Sequence, residues 1–374
     1  MERSRDDDAC PSALQVHRAA DGALVRVRLP GGALTAEQLQ TLAELAERIG
    51  SGSLELTSRG SVQLRGLPDA PADQALIAEA VAAAGLLPSA THERARNIVA
   101  SPLSGRVGGL ADVRPWVREL DAAILAAPAL AGLPGRFWFA LDDGRGDVSG
   151  LRADAGVQVL DDDSAALLLC GADTGVRLAF DEVVPTLAGV AEKFLDIRGK
   201  HWRITELDDI APLLADLDPG VPTSLPHLGD PVPVGWIEQH DGLVTLGAVV
   251  PLGVLPARTA EFLAVIDSPM IVTPWRSMLV CDLTEEVADT ALRVLPPLGL
   301  VFDANSPWLQ VSACVGSPGC ERATADVRAE AVAAVESGVH ARVHYVGCER
   351  ACGSPAEGAV MVATPDGYRP RESS

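Results

Sequence analysis

Residues 313–320 read ACVGSPGC and residues 347–355 read GCERACGSP, and these two stretches carry the paired cysteines of the chain. The cysteines form a C-x5-C and a C-x3-C pair: Cys314, Cys320, Cys348 and Cys352. Apolar residues at helical spacing predict a helix over 323–336, and extended patterns predict strands over 308–312 and 339–346. A strand–helix–strand unit of this length has parallel strands, so both pairs are expected to leave the same edge of one sheet.

The four thiols predict a metal site, for which zinc and an iron–sulfur cluster are the two candidates. Structural zinc usually takes more closely spaced pairs. Glycine and proline beside these cysteines favour a cluster, because small residues let backbone N–H groups approach its sulfides. Four cysteines that only pack as small apolar residues, or a disulfide framework, are the other interpretations. Cys10, Cys170 and Cys281 are isolated in sequence and are expected to be packing residues.

Composition limits the partners of the protein. A formal charge of -21 over 374 residues argues against nucleic acid or an anionic membrane surface, since neither would bind so acidic a body. An anionic small ligand would need a local basic pocket built from arginine, because Lys193 and Lys200 are the only lysines. No apolar run is long enough to span a bilayer and no signal peptide is recognised, so the expected location is the cytoplasm.

The first part of the chain has a β-α-β-β pattern. Strands are predicted at 23–29, 54–56 and 62–64. Thr35 with Gln38 three residues later forms a capping box that starts the intervening helix. This order is half of a ferredoxin-like sheet.

The middle of the chain continues with alternating elements. Helices are predicted at about 72–84, 113–126 and 180–195, and strands at 157–159 and 166–170. The segment from Leu133 to Gly144 is expected to be a strand with an exposed, loop-like end.

Two segments of the first half return in the second. PGGAL at 30–34 is echoed by PLGVL at 251–255, and TSRGSVQL at 57–64 by TPWRSMLV at 273–280, which indicates a tandem duplication unless the likeness is chance. The predicted class is α+β.

The predicted parts follow from that duplication. They are a ferredoxin-like half-domain (15–70), an α/β domain (71–215), a linker rich in proline and glycine (216–234), a second ferredoxin-like half-domain (235–300) and a domain with the cysteines (301–374). Two related halves create an interface where a large ligand can bind.

The spacing C-x5-C followed by C-x3-C resembles the 4Fe–4S signature of the sirohaem-dependent sulfite and nitrite reductases and their relatives. The resemblance implies the duplicated nitrite/sulfite reductase architecture, with ferredoxin-like half-domains and α/β domains that bind a 4Fe–4S cluster and a tetrapyrrole between the halves. It also implies that the position of Cys352 bridges the cluster to the tetrapyrrole iron.

The resemblance assigns active-site roles to basic and neighbouring residues. Arg59, Arg96 and Arg136 match catalytic positions of the family. The implied substrate contacts are Arg59, Gln63, Arg96, Asn97, Arg136, Trp138 and, from the repeated motif, Arg276. Trp138 stands where the reductases carry the second of two lysines, which puts reduction of a small oxyanion in doubt. The other interpretation of each arginine is a solvated surface group.

Within this family the chain resembles the precorrin-3B synthase branch. The likeness rests on ACPSALQ at 9–15, ADGALVRVRLPGG at 20–32, TPWR at 273–276 and CVGSPGC at 314–320. It implies an O2-dependent monooxygenase that hydroxylates precorrin-3A and closes a γ-lactone. The implied cofactors are a 4Fe–4S cluster and a mononuclear non-haem iron.

Two features remain open in that interpretation. No spacing of two histidines and a carboxylate is visible for a mononuclear iron. No nucleotide-binding glycine motif is found either, so the electrons should come from a separate donor. The rival functions are a true sirohaem sulfite or nitrite reductase, and an iron–sulfur binding or scaffold protein without turnover.

Overall fold

The structure is a computed structural model that describes residues 10–228, 232–339, 341–355 and 357–371. Three positions of the predicted linker, 229–231, lie outside the described residues. Among the described helices, none has the length and apolar character needed to cross a membrane.

The strands and α-helices of the described residues are numbered here in chain order. The strands are β1 (His17–Ala19), β2 (Gly22–Val27), β3 (Ala33–Leu34), β4 (Ser53–Leu56), β5 (Val62–Leu67), β6 (Ile98–Ala100), β7 (Phe139–Asp142), β8 (Ala155–Val159), β9 (Ser164–Leu169), β10 (Ala172–Ala179), β11 (Gly235–Glu238), β12 (Val244–Val249), β13 (Val254–Pro256), β14 (Met270–Val272), β15 (Ser277–Leu283), β16 (Val311–Ala313), β17 (Val343–Val346), β18 (Ala359–Thr364) and β19 (Gly367–Pro370). The α-helices are α1 (Ala36–Ile49), α2 (Pro71–Ala83), α3 (Arg114–Ala126), α4 (Val183–Ile197), α5 (Ala257–Ala264), α6 (Glu285–Val294) and α7 (Val327–Glu336).

Two antiparallel sheets exchange their edge strands. The first has the order β1-β2-β5-β4-β13 and the second the order β11-β12-β15-β14-β3. Strand β13 comes from the second half of the chain and pairs with β4, placing Leu255 opposite Leu54. Strand β3 comes from the first half and pairs with β14, placing Leu34 opposite Met270. Each ferredoxin-like half is therefore completed by the other.

The two exchanged sheets share one hydrophobic core. Leu39 and Leu42 of α1 and Leu263 of α5 are fully buried in the same cluster as residues of both sheets. Helix α1 starts with the predicted capping box: Thr35 accepts from the amide of Gln38, and the Gln38 side chain accepts from the amide of Thr35. Because this core spans both halves, the ferredoxin-like parts of the chain fold around a single apolar interior.

Two α/β layers flank that core. One sheet has the order β10-β9-β8-β7-β6, with β6, β7 and β8 parallel. The other has the order β16-β17-β18-β19, with β16, β17 and β18 parallel. In each sheet the next strand in sequence is antiparallel, so the two layers repeat one topology.

One turn occurs in both halves of the chain with the same hydrogen bond. The amide of Gly60 donates to the carbonyl of Thr57 at 3.2 Å, and the amide of Arg276 donates to the carbonyl of Thr273 at 3.1 Å. Gly60 has φ 62° and Arg276 has φ 58°. The two turns have the same backbone form, although only the first has glycine at the left-handed position.

Two expectations from the sequence are wrong. The end of β7 was expected to be exposed, but Asp142 and Asp143 are completely buried. Cys10 was expected to pack as an apolar residue, but its Sγ accepts hydrogen bonds from Arg26 Nη1 at 3.3 Å and Arg28 Nη2 at 3.5 Å. In both cases polar partners distant in sequence set the environment.

Candidate functional site: a cysteine edge beside an arginine-lined crevice

The cysteines lie where the predicted βαβ unit puts them. Cys314 follows β16 and Cys348 follows β17, and these two strands are parallel, with Ser312 opposite His344. Parallel strands end at one edge of a sheet, so the two cysteine loops are neighbours. The parallel unit predicted from the sequence is confirmed.

The four thiols are close enough to influence one another. Burial raises the pKa of the Cys352 thiol, and the neighbouring Cys314, Cys348 and Cys320 thiols raise it further. The amide of Gly347 donates to Cys314 Sγ at 3.3 Å. A set of mutually repelling thiolates in a loop that offers backbone N–H groups fits a cluster that would draw off their negative charge.

One glycine in the first cysteine loop is required by its surroundings. Gly316 has φ 66°, and a Cβ there would lie 2.7 Å from Cγ2 of Val327 at the start of α7. The loop between Cys314 and Cys320 therefore packs directly on the helix that joins the two strands.

His344 contacts the backbone of the second cysteine loop. The imidazole is fully buried, with Nδ1 2.8 Å from Ser312 Oγ and Nε2 3.1 Å from the carbonyl oxygen of Cys352. Burial lowers its pKa to about 4, so the ring is neutral at physiological pH. A neutral ring that donates from Nε2 to the Cys352 carbonyl accepts at Nδ1 from Ser312. Sequence reasoning missed this role because a single histidine has no diagnostic spacing.

A crevice of about 440 Å3 opens beside the cysteine edge. Residues of both halves line it, including five arginines and three tryptophans: Arg59, Arg152, Arg203, Arg276, Arg342, Trp138, Trp275 and Trp308. Among the described residues that line the crevice there is no aspartate, glutamate or lysine. In a chain of net charge -21, this concentrates positive charge and aromatic surface in one place.

Arg59 lies on one wall of the crevice. Burial and, to a smaller extent, the nearby Arg203 together lower the pKa of its guanidinium to about 9. It still carries its charge at neutral pH. Its Nη1 donates to the carbonyl of Gly135 at 3.2 Å, and its guanidinium carbon lies 5.4 Å from the ring centroid of Trp138.

A buried carboxylate holds a second arginine of this wall. Arg203 Nε lies 2.8 Å and 2.7 Å from the two oxygens of Asp154, which is completely buried. Burial raises the pKa of Asp154, while Arg203 opposes that rise. The same carboxylate accepts from the amide of Trp138 at 3.1 Å. Sequence reasoning missed Arg203 and Asp154, because a pair 49 residues apart leaves no local pattern.

Arg276 lies between the crevice and the cysteines. It lines both the crevice and a neighbouring cavity of about 410 Å3 that contains Cys314, Cys320 and Cys352. Its Nη2 donates to the carbonyl of Gly353 at 3.2 Å. Burial lowers the pKa of this guanidinium.

Gln63 and Arg136 are placed elsewhere. Gln63 lines the cavity beside the cysteines, where its Oε1 accepts from Arg26 Nη2 at 2.6 Å. Arg136 is exposed, and its guanidinium carbon lies 5.1 Å from the ring centroid of Trp202. Their predicted substrate contacts stay predictions.

Arg96 and Asn97 lie behind the crevice wall. Arg96 forms a two-pronged ion pair with Asp121, at 2.7 Å from Nε and 2.8 Å from Nη2. Asn97 is buried, accepts from Arg28 Nε at 2.8 Å and donates to the carbonyl of Gly135 at 3.2 Å. The structure brings Arg59, Trp138 and Arg276 together around the crevice, and it places Arg96 on a different cavity.

The first half contains a counterpart of the cysteine loops. In this counterpart a carboxylate of the protein accepts the backbone amides of the loop. The amide of Ser101 donates to the carbonyl of Leu141 at 3.0 Å, just as the amide of Cys314 donates to that of Tyr345 at 2.9 Å. Serine thus stands where the second half has its first cysteine. The loop after β7 closes on the carboxylate of Asp142, which accepts four backbone amides: Gly144, Gly146, Val148 and Ser149.

This loop does not fit a mononuclear iron. Asp142, Asp143 and Asp147 are the three carboxylates near enough to share an ion in the described part of the chain. Asp142 is saturated by backbone amides, and Asp143 is paired with Arg145 at 2.7 Å. A carboxylate already committed to such donors is a poor iron ligand. These carboxylates are therefore poor candidates for the iron that the resemblance implies.

Comparison with known proteins agrees with this architecture. The family model of the nitrite/sulfite reductase ferredoxin-like half domain matches residues 16–80. The chain is 27% identical over 383 residues to a precorrin-3B synthase from a Sinorhizobium species, covering 96% of this chain and 81% of that protein. It is 26% identical to the chloroplastic ferredoxin–nitrite reductase of Zea mays, covering 88% of this chain and 67% of that protein.

A solved structure shares the fold. The structure of Mycobacterium tuberculosis NirA protein matches with a TM-score of 0.77 at 19% identity, over 93% of this chain and 73% of that chain. The duplicated fold predicted from the sequence is confirmed by this match and by the exchanged sheets.

Proposed function

We propose, from the membership of this chain in the nitrite/sulfite reductase superfamily, that it is an oxidoreductase whose substrate is a tetrapyrrole, and specifically a precorrin-3B synthase. In this proposal the substrate is precorrin-3A and the oxidant is O2. The likeness over nearly the whole chain to a precorrin-3B synthase supports the assignment.

The observation that carries the proposal is the lining of the crevice. Five arginines and three tryptophans line the crevice, and of these arginines Arg203 is paired with the buried Asp154. The lining residues themselves include no carboxylate, which suits a broad aromatic molecule with several carboxylates. Trp138 adds a donor, because its indole N–H is buried and has no hydrogen-bond partner among the described residues. A substrate oxygen would satisfy it.

The proposed reaction is a hydroxylation with lactone closure. One atom of O2 enters the meso carbon between rings A and D, the other leaves as water, and a separate donor supplies two electrons. The ring A acetate then closes the γ-lactone. Within this scheme Arg59, Arg203 and Arg276 hold substrate carboxylates, and Trp138 packs on the macrocycle and excludes water.

Cys314, Cys320, Cys348 and Cys352 would hold a 4Fe–4S cluster, which would pass electrons from the donor. Arg276 lies between these cysteines and the crevice, so it would keep the substrate next to them.

A second candidate is a sirohaem sulfite or nitrite reductase. The fold and the likeness to the nitrite reductase of Zea mays favour it. Against it stands Trp138, which takes the place of a lysine of the reductases, since reduction of a small oxyanion needs concentrated positive charge and proton donors.

The experiment that separates these functions uses protein purified without oxygen. The expected visible spectrum is that of an iron–sulfur protein without the red-region band of sirohaem. Incubation with precorrin-3A, a reduced donor and 18O2 should give a product that contains one labelled oxygen. A bound sirohaem with rapid sulfite or nitrite turnover would overturn the proposal, and an iron–sulfur protein that leaves precorrin-3A unchanged would support a binding or scaffold role.

A further inference from the structure

A cavity larger than the crevice lies elsewhere in the described part of the chain. It has a volume of about 700 Å3, and we refer to it as the second cavity. Its walls come from both halves of the chain, at the place where β3 joins β14: Leu29, Leu34, Leu86, Val117, Met270 and Ile271 are its main apolar residues. Because both halves contribute walls, a ligand bound there would contact the exchanged strand β3 and its partner β14.

By the duplication, the second cavity corresponds partly to the crevice and partly to the cavity beside the cysteines. Leu29 and Gly31 line the second cavity, and Val250 and Leu252, 221 residues later in each case, line the crevice. Gly31 has φ 65° and Leu252 has φ 57°. Ser101 also lines the second cavity, and its counterpart Cys314 lines the cavity beside the cysteines. The proposed function uses the crevice and the cavity beside the cysteines, and not the second cavity.

The polar lining differs from that of the crevice. Five arginines and three aspartates line the second cavity: Arg28, Arg96, Arg106, Arg114, Arg118, Asp112, Asp121 and Asp267. Three of the arginines are in ion pairs, with Asp121, Asp282 and Asp112. The positive excess is therefore small, which suits an anion of one or two charges and not a polycarboxylate.

Arg96 is the polar group that indicates a ligand. Its side chain is 6% exposed, and the ion pair with Asp121 uses Nε and Nη2. Nη1 is buried and has no hydrogen-bond partner in the described part of the chain. A buried guanidinium N–H without an acceptor is unfavourable, and an incoming carboxylate would relieve it once Arg96 turns Nη1 toward the cavity, from which this atom is shielded in the structure.

We propose that the second cavity is a binding site for an organic carboxylate with an apolar body, which Arg96 and Arg118 would hold against the apolar wall. Arg118 is exposed at this cavity and can meet the ligand as it enters. The proposal does not depend on the function of the crevice.

A chain of hydrogen bonds leads from this site to the crevice. Arg28 lines the second cavity and donates to Asn97 at 2.8 Å, and Asn97 donates to the carbonyl of Gly135 at 3.2 Å. Arg59, on the crevice wall, donates to the same carbonyl at 3.2 Å.

The test uses 1-pyrenebutyrate as the probe, with neutral 1-pyrenebutanol as its matched control, titrated into the intact cluster-containing protein and followed by pyrene fluorescence. The carboxylate is expected to bind at least ten-fold more tightly than the alcohol. Arg96→Gln should weaken the carboxylate about ten-fold or more and leave the alcohol unchanged. R342Q, which changes the crevice, should leave this binding step intact.

Arg96→Gln leaves Asp121 unpaired, so the double variant R96Q/D121N guards against misfolding. Hydrogen exchange with the probe bound should protect the amides of residues 29–38 and 267–271. The proposal is overturned by an affinity that is the same in the unmodified protein and in both Arg96 variants, by equal binding of acid and alcohol, or by protection confined to the crevice.

Discussion

The guanidinium of Arg59 lies over the indole of Trp138, 5.4 Å from the ring centroid. This contact joins the first basic residue of the crevice to Trp138, the position at which the resemblance to the reductases implies a lysine. A cation over an indole face is stabilised by the ring quadrupole, so the pair is expected to act as one unit of the wall. A lysine at position 138 would instead put two positive charges side by side.

Under the proposed function, Trp138→Lys is expected to impair precorrin-3A turnover far more than it lowers the melting temperature, because it repels Arg59 and removes the aromatic wall. Trp138→Phe should keep most of the wall and lose only the indole N–H, so its defect should be smaller. Turnover and tetrapyrrole affinity of the two variants provide the measurement. Trp202→Phe, beneath the exposed Arg136, is the control. Equal defects in all three variants would show that Trp138 has no specific role in the crevice.

Replacement of any one of Cys314, Cys320, Cys348 and Cys352 by alanine should abolish the brown chromophore and the EPR signal of the reduced protein. The reason is that a cubane cluster needs four protein ligands. Iron and acid-labile sulfide should fall together. Cys170→Ala, at a half-buried cysteine outside this edge, should leave both contents unchanged. A quadruple variant that keeps its iron and sulfide would refute the assignment.

Arg276 should be needed for substrate binding because it lies between the cysteines and the crevice. Arg276→Gly suits the left-handed backbone, as Gly60 does in the first half, but removes the charge. Loss of one desolvated charge-assisted pair costs about 1.5–3 kcal/mol, or roughly 10- to 150-fold in tetrapyrrole affinity.

Arg258→Gln, at a surface arginine, is the matched control for Arg276→Gly and should bind normally. Calorimetric titration with a stable tetrapyrrole carboxylate would measure both affinities. If Arg276→Gly binds as tightly as the unmodified protein, the carboxylate contact belongs to other arginines of the crevice.

Asp147 should make stability depend on pH. Burial and, to a smaller extent, the nearby Asp142 together raise its pKa from 3.8 to about 7. Between these two values the folded protein binds the proton that the unfolded chain releases, so stability falls as pH rises from about 4 to about 7 and is level above that.

Asp147→Asn should remove this dependence, which amounts to at most about 1.4 kcal/mol per pH unit. Melting temperatures at pH 5, 6, 7 and 8 would show it as a flatter profile. Asp218→Asn, at an exposed carboxylate, corrects for the loss of one charge. Parallel profiles for the Asp147 variant and the unmodified protein would contradict the prediction.

Local patterns in the sequence were sufficient for the cysteine edge and for the first ferredoxin-like half. The C-x5-C and C-x3-C pairs and the helix between them define a βαβ unit, because helix and strand periodicity and the parallel crossover are short-range properties. The capping box at Thr35 and Gln38 is local in the same way. The duplication was also readable, since a repeated turn leaves a repeated sequence.

The tertiary structure decided which charged residues share a cavity. Asp154 holds Arg203 across 49 residues, and Arg106 pairs with Asp282 across 176 residues, so no sequence period could reveal either contact. Arg96 and Arg59 had been assigned to one site, yet a wall that contains Asn97 separates their cavities. Side-chain pairing depends on how strands and loops from distant parts of the chain meet, and only the folded chain fixes that arrangement.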